Sequence, residues 1–153
     1  MAYTTIDDPS AHFQAVLWTG TGSSNAITFG GNSDLQPDYL WGKERTTSGN
    51  HNNFDSSRGL DKRLTADQTD AENTDSTTVT SFDSNGFTLG TSANINEDTV
   101  TTVGWCWKAN GGSRTTFAES GDNPAGGYQA NTTAGFSIID YTGTGANGTV
   151  AHG

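Results

Sequence analysis

A chain of 153 residues and 16.0 kDa has room for one ordinary domain and excludes two full hydrophobic cores. Lys and Arg total 7 against 17 Asp and Glu, a formal net charge of −10 with a pI near 4.3, which excludes nucleic acid and anionic membrane surfaces as partners, because both are bound through clustered cations. Leu, Ile, Val and Phe supply only 23 residues, close to the composition of disordered chains, yet four Trp and 25 Thr favour strands, so the expectation is an ordered, thinly cored β protein that gains stability from neighbours or oligomerisation.

Along the chain, the opening MAYTTIDDPS lacks the basic and apolar regions of an export signal, and no run approaches the roughly 18 apolar residues of a membrane span. Neither export nor membrane insertion is expected. Residues 1–11 read as an arm too poor in apolar content to fold alone, ordering on docking. Strand character follows in HFQAVLWTG (12–20), NAITFGG (25–31) and DYLWGKER (38–45). In the third of these, Tyr39 and Trp41 share one face with Leu40 on the other, and Trp41 is read as a core anchor. Residues 50–75 are almost wholly polar and read as a long surface excursion held by Phe54, Leu60 and Leu64. Within it, Asp55 and Arg58 are spaced for a charge-assisted hydrogen bond that pins the FDSSRG loop over Phe54; a clasp of this kind is preferred to Arg58 facing a sialic or uronic acid.

TTVTSF (77–82) and GFTLG (86–90) flank Asp83-Ser84-Asn85-Gly86, the clearest hairpin signal in the chain, because Asn-Gly supplies the positive φ of a tight turn. In TVTTVGWCWKA (99–109), Val103, Trp105 and Trp107 alternate with Gly104, Cys106 and Lys108; the Val-Trp-Trp side is expected to be the buried core face. Cys106, the single cysteine, can form no internal disulfide and reads as a small residue on a sheet face rather than an activated thiolate. Residues 110–131 look linker-like, and GFSIIDYTG (135–143) is the last strand candidate. Phe13 to Gly22 matches Phe136 to Gly145 at a constant offset of 123 residues, both running from an aromatic-led strand into Thr-Gly-Thr-Gly. The expected organisation is an N-terminal arm over 1–11, a β-sandwich module over 12–133, and in 134–153 the first strand of a second repeat or a strand that completes a sheet. The fold class is all-β, an antiparallel β-sandwich of jelly-roll or lectin-like type with long polar loops.

The segments MAYTTIDDPSAHFQ, LQPDYLWGKER, FDSSRG, SFDSNGFTLG, WCWKANGG and NTTAGFSIIDYTGTG together resemble a module of virion proteins of marine tailed phages. Such modules are similar to SPRY-like and concanavalin-type lectin sandwiches and belong to proteins described as tail, fibre or unassigned structural proteins. The resemblance spans residues 1–153; Gly42 and Glu44 depart from the usual PDLVWIKNR form of the third segment, and relatives continue beyond the terminal HG. It implies a non-enzymatic virion structural protein, tail or fibre associated, attached through its N-terminal region and assembled in the host cytoplasm. The implied partners are other virion proteins and further copies of the chain.

Few residues offer chemistry. Thirteen Asp and four Glu supply chance carboxylate pairs everywhere, and Asp34, Asp38, Asp61, Asp67, Asp70 and Asp83 read as solvated turn residues rather than a glycosidase pair. His12, His51 and His152 have no metal-ligand spacing, and no nucleophile elbow or phosphate loop is present, so no catalytic residue is assigned. Asp83-Ser84-Asn85 and Asn94 to Asp98 supply hard oxygen ligands of the kind Ca²⁺ takes, without a complete EF-hand loop. Trp18, Trp41, Trp105 and Trp107 are the candidates for an aromatic sugar platform, at most one of them being expected outside the core. A carbohydrate-binding adhesin that recognises host-surface glycans is therefore the alternative function.

Overall fold

A computed structural model describes residues 6–153, and its strands follow the alternation of large and small side chains. β1 (Phe13–Thr19), β3 (Tyr39–Glu44), β4 (His51–Asp55), β5 (Gly59–Thr65), β6 (Asn73–Thr74) and β9 (Thr101–Trp107) form a six-stranded sheet in the order β1-β9-β3-β4-β5-β6. β2 (Asn25–Thr28), β7 (Val79–Asp83) and β8 (Gly86–Leu89) make a second sheet, β2-β8-β7. β10 (Thr115–Phe117), β11 (Gly126–Asn131) and β12 (Phe136–Tyr141) make a third, β10-β11-β12. Every pairing is antiparallel, and the molecule is an all-β sandwich.

The core fills the space between the six-stranded sheet and the β2-β8-β7 sheet. Trp18, Leu40, Phe54 and Cys106 enter from the first and Ile27, Val79, Phe87 and Leu89 from the second, joined by Phe29, Leu35 and Ile95. Trp18 and Phe87 meet edge to face at 5.5 Å, and the Trp18 indole N–H donates to the Ile95 carbonyl at 3.2 Å, so the one tryptophan in the core leaves no polar atom unmet. Space on this side is tight. A Cβ at Gly104 would stand 2.9 Å from both Leu40 Cδ1 and Trp18 Cζ3, and one at Gly42 would overlap Ile95. Gly42 thus makes room for a core isoleucine.

This arrangement corrects the expected burial of the tryptophans. On β9 the inward residues are Thr102, Gly104 and Cys106, while Trp105 and Trp107 are half-buried on the opposite face. Trp41 likewise points away from the core, and its neighbour Leu40 is fully buried. Bulk for the core comes from flanking strands and the opposing sheet, which leaves β9 space only for small side chains.

Residues 50–75, expected as a surface excursion, carry β4, β5 and β6, and β4 is buried along most of its length. Its amides are satisfied from within: Asn52 Nδ2 donates to the Asn94 carbonyl at 2.7 Å and Arg63 donates to Asn52 Oδ1 at 3.3 Å. The linker-like residues 110–131 contain β10 and β11. The hairpin at Asp83 to Gly86 forms with Asp83 opposite Gly86, and Gly86 alone takes the positive φ, +131°.

The expected arm is bonded to the module from Asp8 onward. Pro9–Ala11 form a short 3₁₀ turn; Asp8 accepts from Ser10 N at 2.9 Å and from Ser33 Oγ at 2.6 Å, and Gln14 Nε2 donates to the Ser10 and Ser33 carbonyls at 3.0 Å. Residues 1–5 of that arm lie outside the described residues. The two halves of the 123-residue repeat occupy equivalent edges, β1 of the six-stranded sheet and β12 of the third sheet.

Candidate binding groove

Register places the large side chains of the outer face in two cross-strand rows. Phe13, Trp107, Tyr39 and Asp55 form one; Ala15, Trp105, Trp41, Asn53 and Leu64 form the next. Trp41 and Trp105 lie 5.6 Å apart at 59°. The Trp41 indole N–H donates to His51 Nδ1 at 3.0 Å, which fixes the ring and requires that nitrogen to be unprotonated. Trp107 is flanked from both ends of the repeat: Phe13 sits 4.8 Å away and Phe136 stacks on it at 5.7 Å and 15°. Tyr39 completes the cluster, 5.7 Å from Trp107 and 6.1 Å from Phe136.

The third sheet stands beside this face as a second wall. It is attached through two polar clasps built on motifs of the sequence. In FDSSRG, Phe54 is fully buried in the core, and Asp55 Oδ1 accepts from the amides of Ser57 and Arg58 at 3.0 and 2.9 Å. Asp55 Oδ2 accepts from Arg58 Nε at 2.7 Å, as the spacing of the two residues predicts. Ser56 and Ser57 turn to the fully buried Gln129 of β11, whose Nε2 donates to their hydroxyls at 3.0 and 2.6 Å while its Oε1 accepts from Gly112 N at 3.0 Å. Asp38 makes the second clasp. Its carboxylate accepts from Ala109 N, Gly111 N, Gly112 N and Ser56 Oγ at 2.7 to 2.9 Å, which draws the WKANGG loop onto the start of β3. The expectation of a solvated turn residue fails for Asp38, 1% exposed, because three backbone amides of a tight loop need an acceptor there.

Between the walls lies an open groove of ≈ 920 Å³. Tyr39 and Trp41 form its floor, Phe136 to Tyr141 one side, and Leu64, Thr65, Ala66, Gln68 and Asp70 the rim opposite. Burial, and then the Asp55 charge, push the Tyr39 phenol above its ordinary pKa, keeping it protonated to donate to Asn53 Oδ1. Burial acts against the Arg58 charge, but the Glu72 hydrogen bond and the Asp55 carboxylate outweigh it and hold its pKa above the usual value. Arg58 donates to Glu72 at 2.8 Å in addition to Asp55. On the far side, Arg114 grips Asp140 with two hydrogen bonds, Nε to Oδ1 at 2.9 Å and Nη2 to Oδ2 at 2.5 Å. Among the described residues, the Thr65 and Ser137 hydroxyls have no hydrogen-bond partner, and Asp70 is an exposed carboxylate without one.

Of the four tryptophans, only Trp18 is buried, at 7%; Trp41, Trp105 and Trp107 are half-buried together on the outer face, against the expectation that at most one would leave the core. The remaining chemistry-bearing residues are dispersed. Asp34, Asp67 and Asp70 are exposed, while Asp61 and Asp83 are half-buried. Asp83 accepts from Ser81 and Thr88 hydroxyls at 2.7 and 2.8 Å. Asn96 is fully buried and spends its amide on Ser23 O, Gly90 O, Thr21 N and Asn25, so the two loops suggested for Ca²⁺ use these side chains internally. His51 accepts from Trp41 and His12 bonds to Asn131, whereas His152 is exposed. Among the described residues no group of three or more His, Cys, Asp or Glu gathers as a metal site. Burial pushes the Cys106 thiol far above its ordinary pKa, leaving it an inert core residue.

Compared with curated proteins and with solved structures, the chain matches none. Its residues 8–153 match the model of the family described as Domain of unknown function (DUF7483), and the chain belongs to that family.

Proposed function

We propose that this chain is a non-enzymatic carbohydrate-binding module whose ligand lies along the groove between the six-stranded sheet and β12. The observation that carries the reading is the floor of Tyr39 and Trp41, flat apolar faces bordered by the hydroxyls of Thr65 and Ser137, which have no partner among the described residues. A sugar ring offers the complement, an apolar C–H face and an edge of hydroxyls that need directional partners. The tight pairing of Arg58 and Arg114 with Asp55, Glu72 and Asp140, which among the described residues of the groove leaves Asp70 as a lone free carboxylate with no second one to pair as acid and base, supports binding rather than catalysis.

The test is isothermal titration of wild-type protein and Trp41→Ala with neutral hexose and N-acetylhexosamine oligosaccharides. Wild type is expected to bind at least one of them, and Trp41→Ala to lose about tenfold in affinity, the upper part of what one aromatic contact contributes. Absence of binding across the panel, or unchanged affinity in Trp41→Ala, would overturn the reading.

A virion setting is the second reading, favoured by two large side chains left open on edge strands. Leu17 on β1 is 61% exposed and Tyr141 on β12 is 60% exposed, each beside unpaired backbone that a neighbouring subunit or another particle protein would cover. Mass spectrometry of purified phage particles tests it: the chain should be present in stoichiometric amount, and its absence would sink this setting without touching the groove.

A further inference from the structure

Resting on the carbohydrate reading, we infer that the groove selects its glycan by charge: sugars bearing ammonium groups ahead of neutral ones, with carboxylated or sulfated sugars rejected, and with Asp70 as the specificity-determining residue. The cations near the groove are all engaged. Arg58 is held by Asp55 and Glu72 at 2.7 and 2.8 Å, Arg114 is held by Asp140, and Lys43, beyond Trp41 on the same face, donates to the Glu44 carbonyl at 2.7 Å. Lys43 does not line the groove, so within it an acidic sugar would have to displace Asp55 or Glu72 from Arg58 to find a counter-charge, and would do so on a protein of net charge −10.

The carboxylates are not equivalent. Asp55 is 3% exposed and fully occupied by its loop, and Asp140 is occupied by Arg114. Asp70 lines the same groove as Trp41 and Tyr39, is exposed, and among the described residues has neither a hydrogen bond nor an ion pair. An ammonium group on a sugar lying over the aromatic floor meets both a free carboxylate and the negative faces of the rings. A neutral sugar meets the same carboxylate only as a hydroxyl acceptor.

The experiment compares three hexasaccharides of equal length, glucosamine, N-acetylglucosamine and galacturonic acid. The pH is set above the ordinary Asp value of about 3.9 and low enough to protonate the sugar amine. Wild type should bind the glucosamine oligomer about 2- to 5-fold more tightly than its N-acetylated counterpart, the range of one exposed charge pair, and the galacturonate oligomer most weakly. Asp70→Asn, at an exposed position with no partner to lose, should bring the first ratio close to one. Galacturonate binding as tightly as the neutral oligomer, or a ratio unmoved by Asp70→Asn, would overturn the charge selection while leaving the groove a sugar site. No binding of any of the three by folded protein would sink the carbohydrate reading itself. A lysine-rich peptide that displaces the glucosamine oligomer and binds more tightly would replace the glycan by a basic polypeptide.

Discussion

The two faces of the six-stranded sheet are built from the same strands and solve opposite problems. The inner face is closed to water, and β9, between β1 and β3, presents Thr102, Gly104 and Cys106, small residues that let Trp18, Leu40 and Phe54 interlock with Phe87 and Leu89 of the facing sheet. The outer face has larger side chains and poorer cover: Trp41, Trp105, Trp107 and Tyr39 lean on one another at 56° to 59° or on His51, and each is half-buried. Side-chain size along one strand therefore does not identify the core side of a sheet. What identifies it is whether neighbouring strands and a second sheet fill the volume above it.

The largest expected effect separates the two faces directly. Phe54→Ala should cost about 3–5 kcal/mol, since it empties a fully buried site, and would take a large part of the roughly 5–15 kcal/mol that stabilises an ordinary domain. Trp41→Ala should cost about 0.75–1.5 kcal/mol, half the contribution of a fully buried apolar side chain. Denaturant unfolding followed by circular dichroism measures both. If Trp41→Ala proves as costly as Phe54→Ala, the outer face is a second core and the floor of the groove is closed.

The sequence is most readable where pattern and punctuation coincide. Seven strand candidates, beginning at residues 12, 25, 38, 77, 86, 99 and 135, match β1, β2, β3, β7, β8, β9 and β12. The strands that escaped notice are polar ones. β4 reads HNNFD and β11 reads GGYQAN, and both are stabilised by hydrogen bonds to residues distant in sequence, such as Asn52 to Asn94 and Gln129 to Ser56 and Ser57. Nothing local announces a partner 42 or 73 residues away. The same limit hid the groove: period two put Trp105 and Trp107 on a common face, but which face is covered depends on the β2-β8-β7 sheet. The Asp55–Arg58 clasp was legible because its members are three residues apart. The signal available for the rest was the recurrence of Phe at 13 and 136, which converge on Trp107 from two sheets.

A middle-sized effect tests how firmly the groove's second wall is held. Gln129→Leu preserves bulk but leaves the Ser57 hydroxyl without its partner in a dry site and takes one of two partners from the Gly112 amide and the Ser56 hydroxyl, which keep Asp38, at a cost of about 1–3 kcal/mol. Because these bonds join the third sheet to the FDSSRG loop, the loss should be local. Hydrogen exchange should quicken in the amides of β10, β11 and β12 and stay slow in β9. Equal acceleration in β9 would mean that the outer wall and the core unfold as one unit, and the contrast between the faces would be one of packing only.

The smallest effect is electrostatic and has two reporters, one in the N-terminal turn and one in the turn before β7. Asp8, in the N-terminal turn, has its pKa lowered by hydrogen bonds from the Ser10 and Ser33 hydroxyls, and Asp75, in the turn before β7, has its pKa lowered chiefly by the Thr77 hydroxyl. A carboxyl whose folded pKa is depressed stabilises the fold above its unfolded value of about 3.9, and that contribution disappears as the pH falls through the folded value. Acidification below about pH 4 should accordingly release the turns at residues 8–10 and 75–77 while the sheets persist. The amides to follow are Ser10 and Thr77, each 2.9 Å from its Asp oxygen, and Asp8→Asn should remove the pH dependence at Ser10 alone. If both amides change together in that variant, acid acts through the sheet that joins them. If they separate, the N-terminal turn opens independently of the core, and acid would uncover Trp107 and Phe136 before it disturbs Phe87.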